Sequence, residues 1–194
     1  MDDHFMKVGS LFTFFGCFGD VMRIKIMYRK QGTALVQFLD ESHATSAREN
    51  LNGVLLCGKK LRVDYSKHMA VVMPRADGAD SFEKENTIDY SNAQSHRYKR
   101  RMLAEVAPPS PLLHVSGLPA ALQPAVPGAP HPAAELFGQH GLVRHCHEIP
   151  SQPSMVLIEM ASLEDAVDAL VALDNSLYVD GRLRVSFSKS APRA

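Results

Sequence analysis

His140, His145, Cys146 and His147 crowd one short stretch of the chain. Imidazole nitrogen and thiolate sulfur are zinc ligands, so metal binding is the first chemistry to weigh. The spacing argues against it. Neighbouring residues on a strand point to opposite faces, and neither a C-x-x-C nor an H-x₃-H pair is present. No nucleophile stands beside a base, and no glycine-rich loop could cradle a phosphate. The chain therefore reads as a non-enzyme with no metal and no cofactor. What remains is a set of polar side chains on two stretches that alternate apolar with polar residues. These are His114 and Ser116 in one stretch, and Ser186, Ser188 and Lys189 in another. Of these, the His114 imidazole could stack on a planar base or stand as an exposed strand histidine.

The second stretch points to the elements that must carry these groups. Leu183-Arg184-Val185-Ser186-Phe187-Ser188-Lys189 echoes Leu61-Arg62-Val63-Asp64-Tyr65-Ser66-Lys67, 122 residues earlier. Both alternate apolar and polar residues, as a strand with one buried face does. The same shift carries Phe15-Gly16 onto Phe137-Gly138, Gly19 onto Gly141, and Val21 onto Val143. It carries Ala34–Phe38 onto Val156–Met160, and Ala44, Ala47 and Leu51 onto Ala166, Ala169 and Leu173. Residues 14–67 superpose on 136–189 without a gap, the mark of an internal duplication.

Each copy predicts helix, strand, strand, helix, strand. In the first, residues 6–18 place Leu11, Phe14/Phe15 and Phe18 on one helical face, with Phe12 off it. Val21–Tyr28 alternates Ile24 and Ile26 with Arg23, Lys25 and Met27. A strand at Ala34–Phe38 follows, then a helix capped by Asp40 and a strand at Leu61–Tyr65. The second copy opens with one more strand, Leu112–Ser116. The full unit is then β-α-β-β-α-β. The expected class is α+β, with two ferredoxin-like units, the first lacking its opening strand. That strand is central in this topology. Its absence would leave two edges facing each other across a slot. Either the chain is a truncated or alternative-start product, or something else fills the slot.

The expected layout is a truncated unit over 1–75, a linker over 76–110 and a complete unit over 111–194. Met69–Met73, before Pro74, could add a strand; within the linker Asp77–Glu85 reads as loop, and Arg97-Tyr98-Lys99-Arg100-Arg101 is basic. A loop over 119–132 carries five prolines and should be irregular. The last helix bears two apolar stripes, Ala166/Ala169/Leu170/Leu173 and Leu163/Val167/Val171, which suggests two burial partners or one broad core.

Composition bounds the function. Hydrophobic residues make up 45% and charged residues 22%, as in an ordinary globular chain. No apolar run approaches a membrane span, and no signal peptide opens the sequence. Three cysteines without paired spacing suit a reducing compartment. Residues 1–110 hold 16 Lys+Arg against 13 Asp+Glu, and residues 111–194 hold 5 against 8. With zero net charge, any nucleic-acid binding must rest on bases as well as phosphates.

RNA-recognition motifs carry a third-strand octamer, K/R-G-F/Y-G/A-F-V-x-F/Y. Gln31-Gly32-Thr33-Ala34-Leu35-Val36-Gln37-Phe38 keeps its Gly, Ala, Val and last Phe, with Thr33 and Leu35 at the stacking positions. Pro153–Met160 has neither aromatic. The chain nevertheless resembles the C-terminal pair of RNA-recognition motifs of the polypyrimidine-tract-binding protein family. The resemblance rests on Leu11-Phe12…Phe15-Gly16…Gly19-Asp20-Val21, Ala34-Leu35-Val36-Gln37, Leu51-Asn52-Gly53 and Ser66-Lys67-His68. It extends through Asp89-Tyr90…His96-Arg97-Tyr98-Lys99, Leu113-His114-Val115-Ser116 and Leu183–Ser190. That family also replaces the octamer aromatics.

The resemblance implies binding of single-stranded CU-rich RNA in nuclear pre-mRNA splicing, with shuttling to the cytoplasm and splicing-regulatory proteins as further partners. It implies two motifs packed back to back through their helices. By position it implies RNA contacts at Lys25, Tyr28, Leu35, Arg62, Ser66, Lys67 and His68. In the second copy it implies His114, Ser116, Leu157, Ser186, Ser188 and Lys189. The chain departs from the family in its missing first strand and its longer proline-rich loop. It departs also in His145-Cys146-His147-Glu148-Ile149, where alternation turns Glu148 inward. The rival expectation is a degenerate module that binds proteins, with the open slot accepting a partner strand.

Overall fold

The computed structural model describes residues 6–75, 80–92, 103–124, 129–178 and 181–189. The chain divides into two compact units, Met1–Val106 and Ala107–Ala194.

In the first unit, α1 (Val8–Gly16) leads to β1 (Val21–Ile26), β2 (Ala34–Phe38) and α2 (Glu41–Leu51). A short hairpin, β3 (Leu55–Leu56) and β4 (Lys59–Lys60), follows; then come α3 (Ser81–Glu85) and β5 (Thr87–Asp89). Leu11, Phe14 and Phe18 of the predicted helical face are buried, and so are Ile24 and Ile26. Asp40 caps α2 by accepting from the His43 N–H at 3.1 Å, satisfying a donor that the first turn leaves open. The sheet order is β2-β1-β5, all antiparallel.

The second unit contains β6 (Leu112–Ser116), α4 (Ala133–Gly138), β7 (Val143–Glu148), β8 (Met155–Met160) and α5 (Leu163–Leu173). It closes with β9 (Leu177–Tyr178), β10 (Gly181–Arg182) and β11 (Arg184–Phe187). Its sheet runs β11-β6-β8-β7, with β6 between two antiparallel neighbours. Leu113, Val115, Val156, Ile158, Val185 and Phe187 point inward onto Ala166, Ala169, Leu170 and Leu173 of α5, and all are buried. Ser162 caps α5 through the Asp165 N–H at 3.0 Å.

The two units repeat one another down to single bonds. Val21↔Phe38 and Ile24↔Val36 in the first sheet match Val143↔Met160 and Cys146↔Ile158 in the second. Each pair of strands has its irregularity at the same place, between Val21 and Arg23 and between Val143 and His145. The Val63 N–H donates to Asn52 Oδ1 at 3.1 Å, and the Val185 N–H to Asp174 Oδ1 at 2.8 Å. A Cβ on Gly19 would stand 2.4 Å from the His43 Cβ, and one on Gly141 would stand 2.4 Å from the Asp165 Cβ. Helix and loop approach too closely there for any side chain, so both copies keep glycine.

The structure differs from the sequence expectation where a neighbour is lacking or a partner went unseen. Leu61–Tyr65 forms no strand, because the residue ladder that its twin makes with β6 has no counterpart here. Its side chains are correspondingly wetter: Tyr65 is 53% exposed, whereas Phe187 is 4% exposed. Val36 is half-buried, while its twin Ile158 is fully buried. Full burial of the two inward residues of β6, Leu113 and Val115, contributes roughly 3–6 kcal/mol that the first unit does not gain. That is a large share of a domain's usual margin, about 5–15 kcal/mol.

Residues 81–89, read from sequence as part of a linker, form α3 and β5 and extend the first sheet along β1. Asp80 caps α3 through the Glu83 N–H. Tyr90, just beyond β5, stacks on Phe12 with centroids 3.9 Å apart, which explains the apolar residue off the main face of α1. Met69–Met73 makes no strand, although Val71 is buried and its N–H donates to Gln37 Oε1 at 2.9 Å. In the proline-rich loop Ala120–Leu122 is a 3₁₀ turn. The basic run Arg97–Arg101 and residues 125–128 lie outside the described residues.

Candidate nucleic-acid interface

Strand alternation sorts the second sheet into a buried face and a wet one. Every inward residue of β6 and β8 has outward neighbours. His114 lies opposite Ser186 on one side and Leu157 on the other, and Leu157 lies opposite His147. The result is one row across all four strands, Ser186–His114–Leu157–His147. A second row sets Ser116 between Arg184 and Met155. A third sets Glu159 between Leu112 and His145. The Ser186, His114, Leu157 and His147 side chains are partly exposed, and Lys189 is exposed just past β11. The Ser188 N–H donates to the Leu112 carbonyl at 3.0 Å, which continues the pairing of β11 with β6 past Phe187. The face thus combines an apolar centre, imidazoles beside it and a cation at its end. Such a surface can hold a planar base by stacking and meet its edge with hydroxyls.

Five of the six residues expected in this unit share the rows or flank them: His114, Ser116, Leu157, Ser186 and Ser188. Lys189 follows directly. Sequence reasoning treated His145 and His147 as rejected metal ligands and missed their place on this face. The signal was available. Ile24 and Ile26 fix inward parity in the first copy, so Cys146 falls inward and its two histidine neighbours outward. Their ring centroids are 5.8 Å apart, and His147 Nε2 lies 3.7 Å from Glu159 Oε2.

Inward parity also brings Cys146 and Glu148 to the other side. Burial, with the Glu148 charge added, pushes the Cys146 thiol up to about 11, so it stays protonated and unreactive. Glu148 pairs with Val156 in register yet remains exposed, because the strand end overhangs the core. Its carboxylate acts on His131, whose own burial lowers the imidazole against that attraction. His131 is buried, and its Nδ1 accepts the Ala133 N–H at 3.2 Å at the start of α4. Among the described residues, no group of three or more metal-binding side chains converges.

The first unit presents its outward face differently. Leu35 lies opposite Lys25, as Leu157 lies opposite His147. Lys25 is held by Glu83 of α3 at 2.5 Å, and Arg23 by Asp89 of β5 at 2.7 Å. Hydrogen bonds from the Ser91 hydroxyl and N–H, together with Arg23, keep the Asp89 carboxyl below its ordinary value, against a smaller desolvation effect. Tyr28 is 70% exposed and meets the Phe82 ring edge-on at 5.1 Å. The extension therefore engages the expected contacts Lys25 and Tyr28. Arg62, Ser66, Lys67 and His68 are exposed on the unpaired segment after β4, away from any ladder, and the His68 N–H is held by Ser66 Oγ at 3.0 Å.

Two duplicated units, one with a four-stranded sheet of order β11-β6-β8-β7 under two helices, define an architecture that many functions share. Sequence comparison decides among them. Residues 1–93 and 125–192 match the family described as RNA recognition motif, also known as RRM, RBD or RNP domain. The chain belongs to the RNA-recognition-motif family. Within it, the chain resembles polypyrimidine-tract-binding proteins. It is 28% identical over 184 residues to the polypyrimidine tract-binding protein homolog 3 of Arabidopsis thaliana, a match covering 93% of this chain and 39% of that one. The chain thus spans well under half the length of that relative. Among solved structures, the RRM domain of S. pombe Puf1 is 23% identical, covers 41% of this chain and 99% of its own, and has a TM-score of 0.33. The SXL-lethal protein/RNA complex is 18% identical, covers 92% of this chain and 89% of its own, and has a TM-score of 0.31.

Proposed function

We infer that the chain binds single-stranded, pyrimidine-rich RNA through the outward face of its second RNA-recognition motif, and that it serves pre-mRNA splicing or related processing in the nucleus. The observation that carries this reading is the row Ser186–His114–Leu157–His147 across an otherwise complete sheet. A base stacked over His114 and Leu157 would present its Watson–Crick edge to Ser186, Ser188 and the backbone past β11. Small pyrimidines suit a face that has lost the large octamer aromatics. Lys189 and Arg184 would supply phosphate contacts.

The first motif contributes less in this reading. Its cations Arg23 and Lys25 are already paired with acids of the extension, and Leu35 faces an incomplete sheet. Arg62, Ser66, Lys67 and His68 would join once RNA orders their segment. Splicing-regulatory proteins would be secondary partners, assembled on the bound RNA.

Titration of the full chain with a CU-rich oligonucleotide tests this. The expected result is saturable binding in the micromolar range or tighter, weakened by His114→Ala and by Lys189→Ala. An affinity no different from that for a purine-only oligonucleotide would remove pyrimidine preference. Absence of binding to any single strand would remove the RNA role.

A further inference from the structure

The three outward rows of the second sheet contain a single acid, Glu159. A fixed negative charge on a surface that meets a polyanion repels phosphate, so it needs a compensating contact. Its surroundings leave it able to make one. The Glu159 side chain is 35% exposed, and its partner among the described residues, His147 Nε2, stands 3.7 Å from Oε2. That separation is too long for a hydrogen bond, so both oxygens keep acceptor sites.

The carboxylate also has a definite place. Glu159 lies in the row of Leu112 and His145, while His147 lies opposite Leu157 in the next row. Rows two residues apart along a strand are separated by about 7 Å. Reaching His147 therefore takes the carboxylate out of its own row and toward the Leu157–His147 end of the next. A base lying against Leu157 and His147 would turn an edge to it. The first unit has no such group. The twin of Glu159 is the uncharged Gln37, whose Oε1 accepts the Val71 N–H at 2.9 Å.

The chemistry of the two pyrimidines decides which one this edge reader accepts. A carboxylate only accepts hydrogen bonds. Cytosine places an amino donor at N4 where uracil places the O4 acceptor. Uracil's one donor on that edge, N3–H, lies between two carbonyl oxygens that a carboxylate repels. The hydroxyls of Ser186 and Ser188 both donate and accept, so they satisfy either pyrimidine. Glu159 is the group on this face with a bias.

We propose that Glu159 is a specificity residue that makes the second unit prefer cytosine to uracil at the base lying against Leu157 and His147. This rests on the RNA-binding reading above and names the base that one position of that site selects. A well-placed edge contact of this kind separates the right base from the wrong one by roughly tenfold.

The test titrates the isotopically labelled full chain with hexauridylate and with a series of hexanucleotides in which one cytosine is moved through the uridines. Affinities are read from the amide shifts of residues 145–147 and 155–159, which report the second unit. Cytosine at an internal position is expected to tighten binding roughly tenfold over hexauridylate. Glu159→Gln should abolish that gain while preserving binding, because a carboxamide can turn its oxygen to cytosine or its amino group to uracil. The readout is the ratio of affinities, since a merely structural effect would weaken every oligonucleotide alike. Equal affinity of the wild-type chain for the whole series overturns the inference and leaves the RNA reading standing. A cytosine gain that survives Glu159→Gln does the same. Failure of every member to bind overturns the RNA reading, and the inference with it.

Discussion

His114 sits at the centre of the outward face, between Ser186 and Leu157. In the proposed reading its ring is a stacking platform for one base, and base–aromatic stacking contributes about 1–3 kcal/mol per base. His114→Ala should therefore weaken RNA binding by roughly 5- to 150-fold, measured by fluorescence anisotropy, with no change in the thermal midpoint. His147→Ala should weaken it too if a base reaches the fourth strand; an unchanged affinity confines the footprint to β6, β8 and β11. Two glycines carry a separate residue-scale prediction. Gly141 has φ +154 and no room for a Cβ beside Asp165. Gly141→Ala should lower the melting temperature of the second unit by several degrees, because an ångström-scale overlap must be relieved by moving a helix. These glycines were legible as a matched pair at a constant spacing. Their physical cause, the closeness of the following helix, was not, since no sequence pattern reports a helix–loop distance.

At the scale of elements, the added α3–β5 segment changes how the first sheet is used. It satisfies the β1 edge, which would otherwise offer unpaired backbone groups, and it neutralises Arg23 and Lys25. Asp89 makes this attachment sensitive to acid. Its folded carboxyl lies below the ordinary value of 3.8, so the contribution is fully present above that value and is lost as pH falls through the folded pKa. Amide exchange at Thr87–Asp89 should accordingly rise below about pH 4 before the α1 and β1 amides respond. Asp89→Asn should flatten that dependence. The segment escaped sequence reading because three strand residues and five helical ones are too short for periodicity. Only their partners, Phe12 for Tyr90 and Arg23 for Asp89, give them structure. Leu61–Tyr65 failed in the opposite sense. Its alternation is that of a strand, but a ladder needs a neighbour as well as a pattern. Leu183→Ala should cost about 2–5 kcal/mol from a filled core, and Leu61→Ala clearly less, because Leu61 is only half-buried.

Over the whole molecule, one duplicated design appears in two states of completion. The second unit buries its inward rows fully; the first leaves Val36, Leu61 and Val63 partly wet. Exchange protection at Ile24 and Val36 should therefore be lower than at their twins Cys146 and Ile158, measured in the same sample. The repeat was legible because core residues, turn glycines and caps all fall into one register across 122 residues. The outward face of the second sheet was partly legible: parity on β6 and β11 places His114, Ser116, Ser186 and Ser188 on it, while the histidines of β7 were weighed only as metal ligands. The central claim is that the complete sheet of the second unit is the RNA-binding surface. It is tested most directly by titrating a CU-rich oligonucleotide into the isotopically labelled chain and following backbone amide shifts. The account predicts saturating changes concentrated at 112–116, 145–147, 155–159 and 184–189. Changes confined to the first unit, or none at saturating RNA, would contradict it.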